Sequence, residues 1–113
     1  LDLSSGEVEA KAHDRNDYIS KIADVEYRPD VKYPEWDAFL KTVFAGDEEL
    51  ISFVQRAVGY SLTGLVSEQC LFFLYGSGRN GKSLFTETIK LLVGSYSGTV
   101  LSESLMRKRQ EKK

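Results

Sequence analysis

This chain is short of the residues that build disulfide frameworks, metal clusters and membrane spans. Its 113 residues include one cysteine, Cys70, and one histidine, His13. No disulfide can form within the chain, and a zinc cluster of cysteines and histidines is excluded. Cys70 lies in an apolar run, which reads as a buried, reduced thiol of a cytosolic protein; His13 reads as a surface residue. The longest apolar run, residues 70–75, is far short of the roughly 20 residues that cross a bilayer, and no signal-peptide pattern is present. A strong excess of one charge is lacking too. The net charge is −2, which says little about partners.

The distribution of charge says more. Residues 1–60 carry 13 acidic and 7 basic side chains, and residues 61–113 carry 4 acidic and 8 basic. The positive half suits phosphate groups, whereas the final run Arg107-Lys108-Arg109-Gln110-Glu111-Lys112-Lys113 is either a solvated helix end or a nucleic-acid contact. The chain opens on Leu1 and shows no closing element after this run, so it is expected to be a piece of a longer protein.

The stretch with most chemical content is Gly76-Ser77-Gly78-Arg79-Asn80-Gly81-Lys82-Ser83. It fits the P-loop pattern G-x-x-x-x-G-K-[ST] without mismatch. Four fixed positions match by chance in roughly 0.4% of chains this short, so the alternative of a plain glycine-rich turn is disfavoured. Cys70-Leu71-Phe72-Phe73-Leu74-Tyr75 before it reads as a buried strand, and the run from Leu84 to Val93 after it reads as an amphipathic helix. Glycines let backbone N–H groups close on a phosphate without a Cβ in the way, and the helix start near Gly81 or Lys82 adds its free N–H groups and positive dipole end.

The residues assigned to nucleotide binding are therefore Gly76, Ser77, Gly78, Arg79, Asn80, Gly81, Lys82, Ser83 and Leu84. Lys82, the catalytic candidate, would reach the β- and γ-phosphates of ATP, and the Ser83 hydroxyl would ligate Mg²⁺. Asn80 suits a turn position of positive φ.

In chain order, Leu1-Asp2-Leu3 and Glu7-Val8-Glu9-Ala10-Lys11 alternate around Ser4-Ser5-Gly6 and suggest a β-hairpin. A turn at residues 13–17 leads into a strand-like run, residues 18–27, broken at Arg28-Pro29-Asp30. From Pro34 the period becomes helical. Trp36, Phe39, Leu40, Val43 and Phe44 form one stripe, with Pro34 in the first turn and Gly46 past the end. Trp36 on this stripe reads as core rather than as a base-stacking platform.

Asp47 caps a second helix whose stripe is Leu50, Ile51, Val54, Ala57 and Val58, with Gly59 as its end. Residues 61–69 read as a short turn and connector. After Gly94, a loop, a short strand at Thr99-Val100-Leu101 and a last helix capped by Ser102 are expected. The resulting fold class is α/β, an α+β fragment: an N-terminal β-hairpin region over 1–30, a helical subdomain with an αα-hairpin over 31–69, and a truncated P-loop NTPase core of a parallel sheet over 70–113. An unpartnered strand at 70–75 would expose two apolar edges and promote association.

Hydrolysis needs an acidic strand end for Mg²⁺, a residue that orients water and usually an arginine finger. After Ser83 the nearest candidate, Thr99-Val100-Leu101-Ser102-Glu103, is a poor match. Val43-Phe44-Ala45-Gly46-Asp47-Glu48 precedes the loop and reads as a helix end followed by a cap, and Glu87 lies one turn inside the helix. The chain is expected to bind nucleotide weakly or not at all, and not to hydrolyse it.

Trp36-x-x-Phe39-Leu40, Gly46-Asp47-Glu48-Glu49-Leu50, Gly59-Tyr60-x-Leu62-Thr63-Gly64, Glu68-Gln69 and Phe73-x-Tyr75-Gly76-x-Gly78-x-Asn80-Gly81-Lys82-Ser83 together resemble the phage/plasmid primase–helicase family, superfamily-3 helicases of the satellite-phage and poxvirus type. Leu1-Asp2-Leu3-x-x-Gly6-Glu7 and Tyr27-x-Pro29 resemble the segment that joins primase to helicase.

The resemblance implies an AAA+-like ATPase in a bacterial host's cytoplasm. It would use ATP and Mg²⁺ to unwind DNA in replication, as a homo-oligomeric ring, usually a hexamer, with no membrane partner. Only Lys82, Ser83 and the loop backbone carry over as functional positions. The acidic Mg²⁺ motif, sensor, arginine finger and DNA-contacting hairpin would lie beyond Lys113. Two other readings stay open: a non-catalytic assembly module or prophage remnant, and another P-loop enzyme such as a nucleotide kinase.

Overall fold

The computed structural model describes residues 6–106, and its regular structure is helical. Helix α1 spans Pro34–Val43, α2 spans Glu48–Thr63 and α3 spans Lys82–Val93, with short 3₁₀ turns at Arg15–Asp17, Gly94–Tyr96 and Ser102–Ser104. Pro34 occupies the first turn of α1, where its missing N–H costs nothing and its fixed φ favours the helix. At the other end the Gly46 N–H donates to the Lys41 carbonyl (2.8 Å) and the Ala45 N–H to that of Thr42 (3.4 Å). This pair of bonds is a Schellman closure. Ala45 adopts φ 51° and Gly46 φ 74° within it.

Asp47 then caps α2, its Oδ1 accepting from the Leu50 N–H at 3.0 Å, with Glu48 and Glu49 beside the positive helix end. The helix runs through Gly59 and stops at Gly64, which takes φ 71°. A glycine inside a helix weakens it but does not end it unless the chain turns left-handed there. Leu50, expected on the apolar stripe, is exposed, and Ile51, Val54 and Val58 carry the contact.

The core is small and lies where the three helices meet. Leu40 of α1, Ile51 of α2 and Phe85 of α3 are buried, flanked by Trp36, Phe39, Phe44, Val54, Val58 and Ile89. Trp36 stacks on Phe39 (centroids 5.2 Å apart) and on Phe85 (5.9 Å), and Phe44 meets Phe85 edge-on at 6.4 Å. Trp36 is thus a core residue, as its place on the stripe implies.

The expected sheet is not formed. Among the described residues there is no strand, so neither a parallel-sheet NTPase core nor a β-hairpin exists. The α/β assignment is corrected to a helical architecture. A strand exists only as part of a hydrogen-bonded ladder, and the backbone groups of residues 70–75 find no partner among the described residues. The side chains of this stretch still alternate. Phe72 and Leu74 are 42% and 43% exposed, and Phe72 meets Phe53 of α2 edge-on at 6.4 Å. Leu71, Phe73 and Tyr75, on the other side, are 67%, 81% and 91% exposed.

Cys70 is correspondingly free but exposed rather than buried. The first arm of the expected hairpin, residues 1–3, lies outside the described residues, as does the basic run 107–113. Residues 7–11, 18–27 and 99–101 form no strand, and the expected last helix is reduced to the turn Ser102–Ser104, without a side-chain cap. The turn at residues 13–17 is present, closed by Asp14 Oδ1 accepting from the Asn16 N–H at 2.9 Å.

The N-terminal segment is instead fastened to the end of α3. Ser95 Oγ accepts from the Ile22 N–H (2.7 Å) and donates to the Ile22 carbonyl (2.9 Å), to which the Ser95 N–H also donates (3.0 Å). Tyr96 Oη donates to the Lys21 carbonyl at 3.1 Å. Gly94 allows the approach, because an added Cβ would stand 2.7 Å from the Ile22 oxygen.

Candidate phosphate-binding loop

Residues 76–83 form an exposed bend that ends on the first turn of α3. The left-handed steps fall on Gly78 (φ 99°), Arg79 (φ 51°) and Gly81 (φ 80°). Asn80, expected to take positive φ, does not, and its side chain has another use. Gly81 is the residue before α3 and has no side chain with which to cap it. The Gly81 carbonyl accepts the first helical bond, from the Phe85 N–H at 2.9 Å. Among the described residues, none accepts from the backbone N–H groups of residues 77–84. Donors without an acceptor and the positive end of the α3 dipole both favour an anion at this place.

Gly81 also has a packing reason. An added Cβ would meet Val43 Cγ2 at 2.6 Å and the Phe39 ring at 3.1 Å. The loop therefore rests on the C-terminal half of α1, and Phe85, one turn further on, enters the core.

The Lys82 side chain folds back over the loop. Its Nζ donates to Asn80 Oδ1 at 2.6 Å and to the Gly76 carbonyl at 3.2 Å. Ser77, Gly78, Arg79, Ser83 and Leu84 are exposed, whereas Asn80, Gly81 and Lys82 are half-buried. A single Ser83 hydroxyl fits a Mg²⁺ ion held chiefly by nucleotide phosphates and water. Among the described residues, no group of three or more His, Cys, Asp or Glu side chains is placed to hold a metal by itself. An open depression of about 750 Å³ lies elsewhere, against Asp47, Glu48, Glu49 and Arg56. Its three carboxylates oppose a phosphate, so the loop is the better anion site.

Two features escaped the sequence reading. Nothing in the spacing singles out Asn80 as the partner of Lys82, and the grip of Ser95 on Ile22 joins residues 73 positions apart. The packing of α3 on the helical hairpin was not read either, because the helix was assigned to a sheet; Phe85 and Ile89, at i and i+4, are the signal that could have shown it.

Fold and site together define a helical unit that carries a glycine-rich bend against its first helix. Residues 1–45 match the family described as D5 N terminal like, which supports kinship with the phage/plasmid primase–helicase family. The match takes in the N-terminal segment and α1 and leaves the loop outside it. No curated protein and no solved structure matches the chain. No helix among the described residues is long and apolar enough to cross a membrane.

Proposed function

We propose that residues 76–84 bind the phosphate tail of a nucleotide, ATP with Mg²⁺, in a protein of phage primase–helicase type. The observation that carries this is a Lys82 ammonium folded over a bend whose backbone N–H groups, up to the start of α3, have no acceptor among the described residues. Lys82 supplies the point charge, the backbone of residues 77–84 supplies directional donors, and Ser83 supplies one metal ligand. The support is chemical complementarity and the agreement of motif with local geometry.

The proposal for this chain is binding, not turnover. No described strand feeds the loop, and among the described residues no group of three or more His, Cys, Asp or Glu side chains is placed to hold a metal. ATP-driven unwinding of DNA by a hexameric ring in the host cytoplasm remains the activity that the family resemblance implies for a full-length protein.

Titration with Mg·ATP, followed through backbone amide resonances, tests the reading. The expected result is weak binding, with a Kd on the order of 1 mM, with shifts confined to residues 76–84 and the start of α3. Lys82→Ala should weaken it by about tenfold or more, since it removes a charge-assisted contact. Binding unchanged by Lys82→Ala, or no binding at all, would overturn it.

The exposed side chains of Leu71, Phe73 and Tyr75 favour a second reading, in which the chain is an assembly module and residues 70–75 pair with another copy.

A further inference from the structure

We propose that Asn80 is an internal latch on the phosphate loop, holding Lys82 with the bonds that an incoming phosphate must replace. The proposal rests on the nucleotide-site reading above and goes further, naming what keeps the site closed.

Three observations carry it. Asn80 Oδ1 accepts from Lys82 Nζ at 2.6 Å, and the Gly76 carbonyl accepts from the same ammonium at 3.2 Å. One of the three ammonium hydrogens is thus used at each end of the bend. The Asn80 amide also lies directly over Gly76, because a Cβ built on Gly76 would land on Asn80 Nδ2 and stand 3.4 Å from Lys82 Nζ. The absence of a side chain at Gly76 therefore makes room for the Asn80 amide as well as for a ligand. Finally, the Asn80–Lys82 bond lies in the half-buried part of an otherwise exposed loop, where a hydrogen bond to a charged group is stronger than in open solvent.

An amide oxygen carries only a partial charge, so it can satisfy the ammonium without matching a phosphate oxygen. A di- or triphosphate offers Lys82 a full negative charge and offers the free N–H groups of residues 77–84 their acceptors. Binding then breaks the Asn80–Lys82 bond and moves the amide off Gly76. The bond lowers affinity for every phosphate and discriminates against weakly charged ones. A single phosphate that reaches fewer donors recovers less than a pyrophosphate does. The chemical class admitted is therefore a di- or triphosphate.

The test uses inorganic pyrophosphate and the full 113-residue chain, with variants Asn80→Ala and Asn80→Asp. In the ligand-free chain, lysine-selective NMR reads hydrogen exchange of the Lys82 ammonium. Asn80→Ala should speed it by about fivefold, and Asn80→Asp should not. In pyrophosphate titrations Asn80→Ala should bind about five- to tenfold more tightly than wild type, and Asn80→Asp should bind more weakly, because its carboxylate holds Lys82 and repels the ligand. A merely structural Asn80 would lower affinity in both variants.

Unchanged Lys82 exchange in Asn80→Ala overturns the latch whatever the ligand does. Wild-type binding with Asn80→Ala no tighter removes the latch and leaves the nucleotide site standing. Absence of pyrophosphate and ATP binding in wild type and Asn80→Ala alike removes the nucleotide site, and the latch with it.

Discussion

The indole of Trp36 and the ring of Phe85 lie nearly parallel, 18° apart, with centroids separated by 5.9 Å. This pair joins the first turn of α1 to the first turn of α3, so the helix that begins at Lys82 is held by the αα-hairpin and not by a sheet. Only three hydrophobic side chains among the described residues are buried, and Phe85 is one of them. Phe85→Ala should therefore lower stability by about 3 kcal/mol, from lost burial plus the cavity left behind. Urea unfolding monitored through Trp36, the sole tryptophan, measures it. An unchanged midpoint would mean that α3 does not pack on the hairpin.

The turn between α1 and α2 offers a change in the opposite direction. Ala45 sits in a left-handed conformation at φ 51°, where a Cβ clashes with the neighbouring carbonyl. Ala45→Gly relieves this while keeping the Schellman bonds to Lys41 and Thr42, and should stabilise the chain by about 1 kcal/mol. Asp47→Ala, two residues on, should cost about 1 kcal/mol, because the Leu50 N–H loses its acceptor. Thermal unfolding by circular dichroism should order the three chains with Ala45→Gly highest and Asp47→Ala lowest; any other order contradicts the turn as described.

A third expectation concerns the clasp between the N-terminal segment and the end of α3. Ser95 makes three hydrogen bonds to the backbone of Ile22, two of them through its hydroxyl. Ser95→Ala removes those two and leaves one. Residues 18–25 should then exchange amide hydrogens faster, and trypsin should cleave after Lys21 more readily, while α1 and α2 keep their protection. Equal cleavage rates in the two proteins would show that the segment is not fastened there.

What was legible in the sequence was what depends on neighbours along the chain. Pro34 at a helix start, Asp47 as a cap and the period-3.6 stripe over Trp36, Phe39 and Leu40 all act within a few residues, and the structure places them as read. The end of α2 was misplaced because Gly59 and Gly64 look alike in a sequence; only the left-handed φ of Gly64 distinguishes the stop. The sheet was misread for a related reason. The run from Cys70 to Tyr75 has the composition of a central strand, but composition cannot supply the partner that makes a strand. The loop itself was legible as a pattern. Its closed state was not, because the Asn80–Lys82 bond depends on rotamers that the motif leaves open.

Residues 70–75 carry the last prediction. The stretch has no charge and no proline, its backbone donors and acceptors find no partner among the described residues, and Phe73 and Tyr75 stand almost fully in solvent. Apolar segments of this length with open edges pair with copies of themselves. The pairing costs little order, since Phe72 already leans on Phe53 and fixes which side faces out. Concentration-dependent association is therefore expected by light scattering. Phe73→Lys should suppress it, because a charge on the outward face is the usual protection of an open edge. Cys70→Ser, on the Phe72 side of the alternation, should not. Phe73 is 81% exposed and makes no ring contact with the core aromatics, so the variant should keep its helical circular dichroism. A wild-type chain that stays monomeric at high concentration would show that the exposed face has no affinity for itself. Association that survives Phe73→Lys would place the contact elsewhere on the chain.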